Sequence, residues 1–275
     1  MSDLRLRARS VTEIVDAAFQ LYKRDAIEYV LVTAIAYAPW VIAQLLILRG
    51  FNVVMPGRML FSGTTTIVLG LLGIFAYALM NAAISRFSSD VYLDRPTSLA
   101  MVIRDVAPLV PRLIGATILF GLVFMLGFIP ALIGGAITSG VLIFLGVLLA
   151  FFWSFYAFAR FFAVFQIVVL EKRGVIAAFS RSGMLSQGRK GHILLTLFLV
   201  IVIFTVLSMA VTMVAALMGN AAGSLVLQSL YTAVAYPLIG ITQMILYYDT
   251  RIRAEGFDIE VMTGALGTPT ASTAS

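Results

Sequence analysis

Four groups of side chains in this sequence have types and spacings that could do chemistry. His192 is the only histidine, it stands beside Arg189 and Lys190, and the chain has no cysteine. Metal-assisted hydrolysis needs several converging ligands, and no Asp, Glu or second His lies at helical spacing from His192. Its expected role is structural, and neither a metal nor a cofactor is expected. Arg160 is the single charge in the apolar run from Leu113 to Leu170. An arginine at mid-bilayer costs about 2.5–3.5 kcal/mol on insertion scales. Three readings follow: Arg160 meets an anion or lipid headgroup in a cavity, it snorkels to the cytoplasmic interface, or its span ends there and Phe161 to Leu170 lies flat.

The third group is a set of polar stripes. Tyr77, Asn81 and Ser85 recur every four residues, as do Thr205, Ser208 and Thr212 at similar steps, while Gln228, Thr232, Tyr236, Gln243 and Tyr247 line one side of another run. Such faces either line a polar cavity, for which Arg160, Asn81, Tyr77, Gln228 and Tyr236 are the candidates, or they join helices by hydrogen bonds worth about 0.6 kcal/mol each. The fourth group is the charged stretch Asp249, Arg251, Arg253 and Glu255. Asp249 and Arg253 form an i, i+4 pair on a helix, and with Arg181 and Asp16 they are the candidates for a clamp across one face of the protein.

These groups have to be positioned by membrane helices. Of 275 residues, 61% are hydrophobic and only 12% charged, with a mean hydropathy of +1.03. Soluble domains are nearer 45–50% apolar and about 25% charged. A disordered chain, a collagen-like fibre and a disulfide-stapled secreted fold are excluded by the same figures. A spanning helix needs roughly 20 apolar residues, which places six spans at about 27–48, 65–85, 113–135, 139–160, 193–218 and 224–247. Gly134-Gly135 with Thr138-Ser139-Gly140 marks a hairpin, and Gly219-Asn220 marks another. Pro39, Pro130 and Pro237 are expected to kink their helices.

The 19 Lys and Arg residues follow this topology. Only Arg49 and Arg58 fall in a loop on the opposite side and only Arg160 lies within a span; the others, with all 13 acidic residues, gather on the side of the two termini. By the positive-inside rule that side is cytoplasmic. The net charge of +6 is therefore a topology signal and an attraction to anionic phospholipid at the cytoplasmic face, and a nucleic-acid partner is not expected. No cleavable signal peptide is expected, since the first apolar run is preceded by a polar stretch and is long enough to span. Residues 1–261 form one integral membrane domain in this reading, and 262–275 a disordered tail.

Three amphipathic helices are expected at the cytoplasmic interface. Ser10 and Glu13 have the form of a capping box, followed by Val11, Ile14, Val15, Ala18, Leu21 and Tyr22 at helical spacing. The spacing returns at Leu99, Val102, Ile103, Val106 and Leu109, and again at Val175, Ala178, Phe179, Ser182 and Leu185. The fold class is all-α: a polytopic bundle of six transmembrane helices with up to three such surface helices. Each precedes a pair of spans, so the chain reads either as three repeated units or as three helices sharing the spacing of any amphipathic helix.

Three stretches carry a family resemblance. RARSVTEIVDAAFQLYKRD near the start, LEKRGVIAAFSRSGMLSQGRKG from Leu170 and LYYDTRIRAEGFDIE from Leu246 together resemble the signatures of the bacterial glycerophosphodiester phosphodiesterase membrane-domain family. That name belongs to a membrane domain which in some proteins is fused to a catalytic barrel of about 250 residues. The segments between spans leave no room for a barrel here, so the resemblance implies a stand-alone membrane domain without the catalytic groups. The functional expectation is a non-enzymatic inner-membrane scaffold or accessory subunit, with the bilayer and a membrane protein as partners. The alternative is a lipid-handling protein or small-molecule transporter using a cavity around Arg160.

Overall fold

Backbone amides in hydrocarbon have no water to bind, so each apolar run must close its hydrogen bonds within itself. The computed structural model describes residues 7–54 and 63–256, and side chains outside 48–54 and 63–67. Among the described residues there are eleven α-helices and no strand. They are α1 (Val11–Arg24), α2 (Ala26–Val54), α3 (Gly63–Tyr92), α4 (Leu99–Val106), α5 (Val110–Leu126), α6 (Ile129–Ala136), α7 (Gly140–Arg160), α8 (Val164–Leu170), α9 (Val175–Leu185), α10 (Lys190–Leu217) and α11 (Ala221–Glu255). Six stretches are long and apolar enough to cross a membrane: Ala26–Ile47, Val68–Tyr92, Leu99–Leu126, Gly140–Leu170, Lys190–Leu217 and Ala221–Glu255. The protein is an all-α, six-span membrane bundle. The Arg49 side chain, Arg58 and the tail 262–275 lie outside the described residues.

All three amphipathic segments are helical, as α1, α4 and α9. At α1 both halves of the capping box form: Ser10 Oγ accepts from the Glu13 N–H and Glu13 Oε2 accepts from the Ser10 N–H at 2.8 Å. Hydrogen bonding from Arg7, then from the Ser10 amide, draws the Glu13 carboxyl down to about 2. The apolar side of α1 (Ile14, Val15, Ala17, Ala18 and Leu21) is buried, mainly against α11 and α10. Of the two surfaces that side could take, lipid or bundle, it takes the bundle.

The run expected as a single span over 113–135 is two helices. α5 ends at Leu126, and α6 begins at Ile129 with Pro130 in its first turn. Pro130 therefore starts a helix instead of kinking one, because at that position its missing N–H has no partner to lose. Pro39 and Pro237 do lie inside helices. The break is closed from outside: the Trp153 indole N–H donates to the Val123 carbonyl at 2.8 Å, the carbonyl left over when the Gly127 N–H bonds one residue short at Phe124. A Cβ on Gly127 would overlap the same indole ring. Trp153→Phe keeps an aromatic ring but leaves that carbonyl unpaired, and is expected to cost about 1–3 kcal/mol. Equilibrium unfolding in detergent micelles measures it; wild-type stability would contradict this role.

α6 and α7 form the hairpin marked by the glycines, with Thr138 in the left-handed region (φ 53°) and Ser139 capping α7 through the Leu142 N–H. A Cβ on Gly134 would stand 2.6 Å from the Ile143 nitrogen, and one on Gly146 would overlap the Ala131 backbone. The two backbones thus lie against each other, as small residues allow in membranes.

After Arg160 the chain does not continue as one helix. It turns at 161–163 and enters α8, whose residues Val164 to Val169 are all buried, packed on α3, α9 and α5. Ser182 of α9 splices this break, with its Oγ accepting from the Ala163 N–H at 3.2 Å and donating to the Arg160 carbonyl at 3.0 Å. The aromatic side chains between Phe151 and Phe165 divide accordingly: Phe151, Phe152, Phe155 and Tyr156 are exposed on α7, while Phe162 and Phe165 enter the core.

Candidate functional site

Two polar layers meet where α3, α8 and α11 pack. The inner layer is a seam within the bundle. Asn81 Nδ2 donates to the Tyr236 hydroxyl at 2.8 Å, and the Tyr77 ring meets Tyr236 edge-on with centroids 5.9 Å apart. One turn further along α3, Gln166 of α8 donates to Ser85 Oγ (3.3 Å) and to Gln243 Oε1 (3.4 Å). Asn81, Ser85 and Gln166 have no solvent exposure, yet Asn81 Oδ1 and Gln166 Oε1 make no hydrogen bond to the protein. A buried amide oxygen without a donor costs about 1–3 kcal/mol, so the seam is a polar interior held at some expense in stability.

Three of the five cavity candidates, Tyr77, Asn81 and Tyr236, are therefore brought together. Gln228 is exposed, higher on α11. Arg160 stands apart at the end of α7, where its guanidinium lies 5.6 Å from the Phe161 ring centre. A Cβ on Gly183 of α9 would stand 3.2 Å from Arg160 Nη2, so the arginine rests on α9. The α10 stripe turns back on its own backbone, with Thr212 Oγ1 bonded to the Ser208 carbonyl at 2.8 Å. Gln166, absent from the candidates, carried a signal in the sequence as the lone amide in an apolar run.

The outer layer is a collar of charge. Asp249, 2% exposed, accepts from the Arg9 backbone N–H at 2.6 Å and from Arg253 Nε at 2.8 Å. Arg253 Nη2 returns a bond to the Arg9 carbonyl at 2.6 Å, and Arg189 donates to the Arg253 carbonyl at 2.7 Å. His192 Nε2 is 3.3 Å from Asp249 Oδ2, inside ion-pair range but off the angle of a hydrogen bond. One carboxylate thus ties the start of α1 to the end of α11, and Arg189 brings in the start of α10.

A second knot centres on Arg181 of α9. It is ion-paired with Glu255 and with Glu171, and Glu171 also receives the Tyr247 hydroxyl at 2.9 Å and Arg173 Nε at 2.7 Å. The hydrogen bond from Arg181 to the Glu255 carboxylate raises its guanidinium further above its ordinary range. Arg251 pairs with the same Glu255 at 3.2 Å. A third knot joins Arg86 to Asp90 and Asp105. Of the clamp candidates, Asp249 and Arg253 fall in the first knot and Arg181 and Arg251 in the second. Asp16 joins neither knot: it is exposed and, among the described residues, hydrogen-bonds to Gln20 alone, at 2.8 Å. The contribution of the N-terminal segment comes instead from the Arg9 backbone, which no charge pattern marks. Among the described residues no three His, Asp or Glu side chains converge as metal ligands. Compared with family models, with curated proteins and with solved structures, the chain finds no match.

Proposed function

We propose that the chain is a non-enzymatic multi-pass protein of a bacterial inner membrane, with both termini cytoplasmic, acting as a scaffold or accessory subunit of a membrane complex. The collar carries this reading. Asp249, Glu171 and Glu255, which a reaction would need as free acids or bases, are each held by two or more partners, at least one of them from a distant segment. Such an arrangement stiffens one face. The resemblance of the N-terminal helix, the α8–α9 segment and the end of α11 to the glycerophosphodiester phosphodiesterase membrane-domain family belongs to the same reading, since these stretches build the collar. The α6–α7 hairpin supplies an intramembrane surface, with Leu132, Val141, Phe144 and Phe151 outward.

The scaffold reading expects a stoichiometric partner to copurify in mild detergent, and expects a photo-crosslinker at Phe144 or Phe151 to capture that same partner. A monodisperse chain with none would overturn it. Orientation is read separately, using the absence of native cysteine. A single cysteine at Arg95 should react with an impermeant maleimide only from the cytoplasmic side, and one at Thr138 only from the opposite side.

A second reading, lipid handling or small-molecule transport, has the seam in its favour, through the unbonded Asn81 and Gln166 oxygens. It requires Asn81→Leu to abolish lipid exchange or solute flux in proteoliposomes; unchanged flux would remove it.

A further inference from the structure

Beside the collar the ends of α3, α8 and α11 and the side of α4 enclose a pocket of about 320 Å³, at the lower end of the range for small-ligand sites. Four basic residues line it (Arg86, Arg95, Lys172 and Arg251) and one acid, Asp105. The acids in and behind its wall are matched to arginine: Asp90 and Asp105 to Arg86, Glu171 to Arg181 and Arg173, Glu255 to Arg181 and Arg251. The side chains of Arg95 and Lys172 form no hydrogen bond or ion pair among the described residues, and they are the surplus charge. On the buried wall the Ser89 and Tyr248 hydroxyls bond each other at 2.7 Å.

Both surplus cations are delivered by turns that L-residues adopt rarely. Lys172 itself has φ 54°, and Arg95 follows Asp94 at φ 51°. Non-glycine residues in this region are uncommon, and where the surroundings hold them the strain often marks a functional site. Arg112 pins the first turn by donating to the Lys172 carbonyl at 2.8 Å, and the Arg95 N–H pins the second on the Asp90 carbonyl at 2.8 Å.

We propose that this pocket binds a phosphate-bearing anion, either the headgroup of an anionic phospholipid or free phosphate. Cations arriving from three separate segments suit a tetrahedral anion with several oxygens, which can accept charge-assisted bonds from each at once. A planar carboxylate would leave some of them unanswered. The site does not depend on the scaffold reading, since a partner-free chain would still bind the anion.

The test uses the purified full-length chain in a neutral maltoside detergent, titrated with dioctanoyl phosphatidylglycerol, inorganic phosphate, acetate or dioctanoylglycerol. Saturable binding of the first or second probe is expected, about tenfold weaker in Arg95→Ala/Lys172→Ala. Lys23→Ala/Arg104→Ala removes the same charge from exposed positions outside the pocket and should bind within twofold of wild type. Unliganded melting should match wild type in both; should the alanine pair fail to fold, Arg95→Gln/Lys172→Gln takes its place. Phosphatidylglycerol binding that inorganic phosphate does not displace assigns the pocket to a headgroup, and saturable phosphate binding assigns it to the free anion. The proposal is overturned if neither phosphate probe saturates, if acetate or dioctanoylglycerol binds equally well, or if the pocket pair weakens binding no more than the control pair.

Discussion

Asp249→Ala is expected to destabilise the protein by about 3 kcal/mol and to loosen its N-terminus. Asp249 is 2% exposed and joins the segment before α1 to the end of α11 through the Arg9 amide and Arg253, with His192 alongside. Removing one member of a buried ion pair costs about 3–5 kcal/mol, because the partner keeps its desolvation penalty and loses its compensation. The lower end applies here, since the Arg253 side chain keeps 34% of its exposure and can be partly rehydrated. Asp249→Asn retains an acceptor for the Arg9 N–H and should recover part of the loss. Equilibrium unfolding in detergent gives the energy. Limited trypsin digestion gives the local effect, since Arg9, now 5% exposed, should become a cleavage site. A stability within about 1 kcal/mol of wild type, the worth of an exposed pair, would mean that the collar is not a structural clamp.

Gly146→Val should cost about as much, at the opposite extreme of chemistry. No charge is involved; a Cβ at this position overlaps the Ala131 backbone and lies 2.7 Å from the Pro130 carbonyl carbon. Backbone on both sides cannot yield as a side chain would, so α6 and α7 must separate. Overpacking costs typically 1–3 kcal/mol, and the upper end is expected where both neighbours are main chain. In lipid the separated helices regain no hydrophobic contact with each other, since close packing is what joins them. Gly121→Ala is the contrast: nothing lies within 4 Å of its added Cβ, and it should be neutral or stabilising by about 0.5–1 kcal/mol. Equal stability of the Gly146→Val and Gly121→Ala proteins, measured by the same unfolding assay, would contradict the packing described for the hairpin.

Much of the architecture was legible because it rests on interactions within one or two helical turns. Apolar runs of sufficient length give the spans, Ser10 with Glu13 gives the start of α1, and Ser139 and Asn220 stand at the hairpins where they cap α7 and α11. Asp249 with Arg253 is likewise a local pair, formed because α11 continues to Glu255. Part of the candidate site was visible in the same way, since Tyr77 and Asn81 share a face of α3 and Tyr236 lies on the matching face of α11.

The rest depended on partners far away along the chain. The run from Leu113 to Gly135 breaks just before Pro130, and the Val123 carbonyl freed there is met by the indole of Trp153 on α7. The burial of α8 similarly rests on Ser182 of α9, which meets both backbone groups freed beyond Arg160. Asp16 has the charge for a clamp but sits on the outer face of α1, whereas the Arg9 backbone has no charge pattern and lies against α11. Hydropathy and capping are sums over neighbouring residues, so the linear order of the chain settles them. A backbone group released by a broken helix, or a carboxylate in search of a donor, is satisfied by whichever segment packing brings within about 3 Å, and only the folded bundle decides which segment that is.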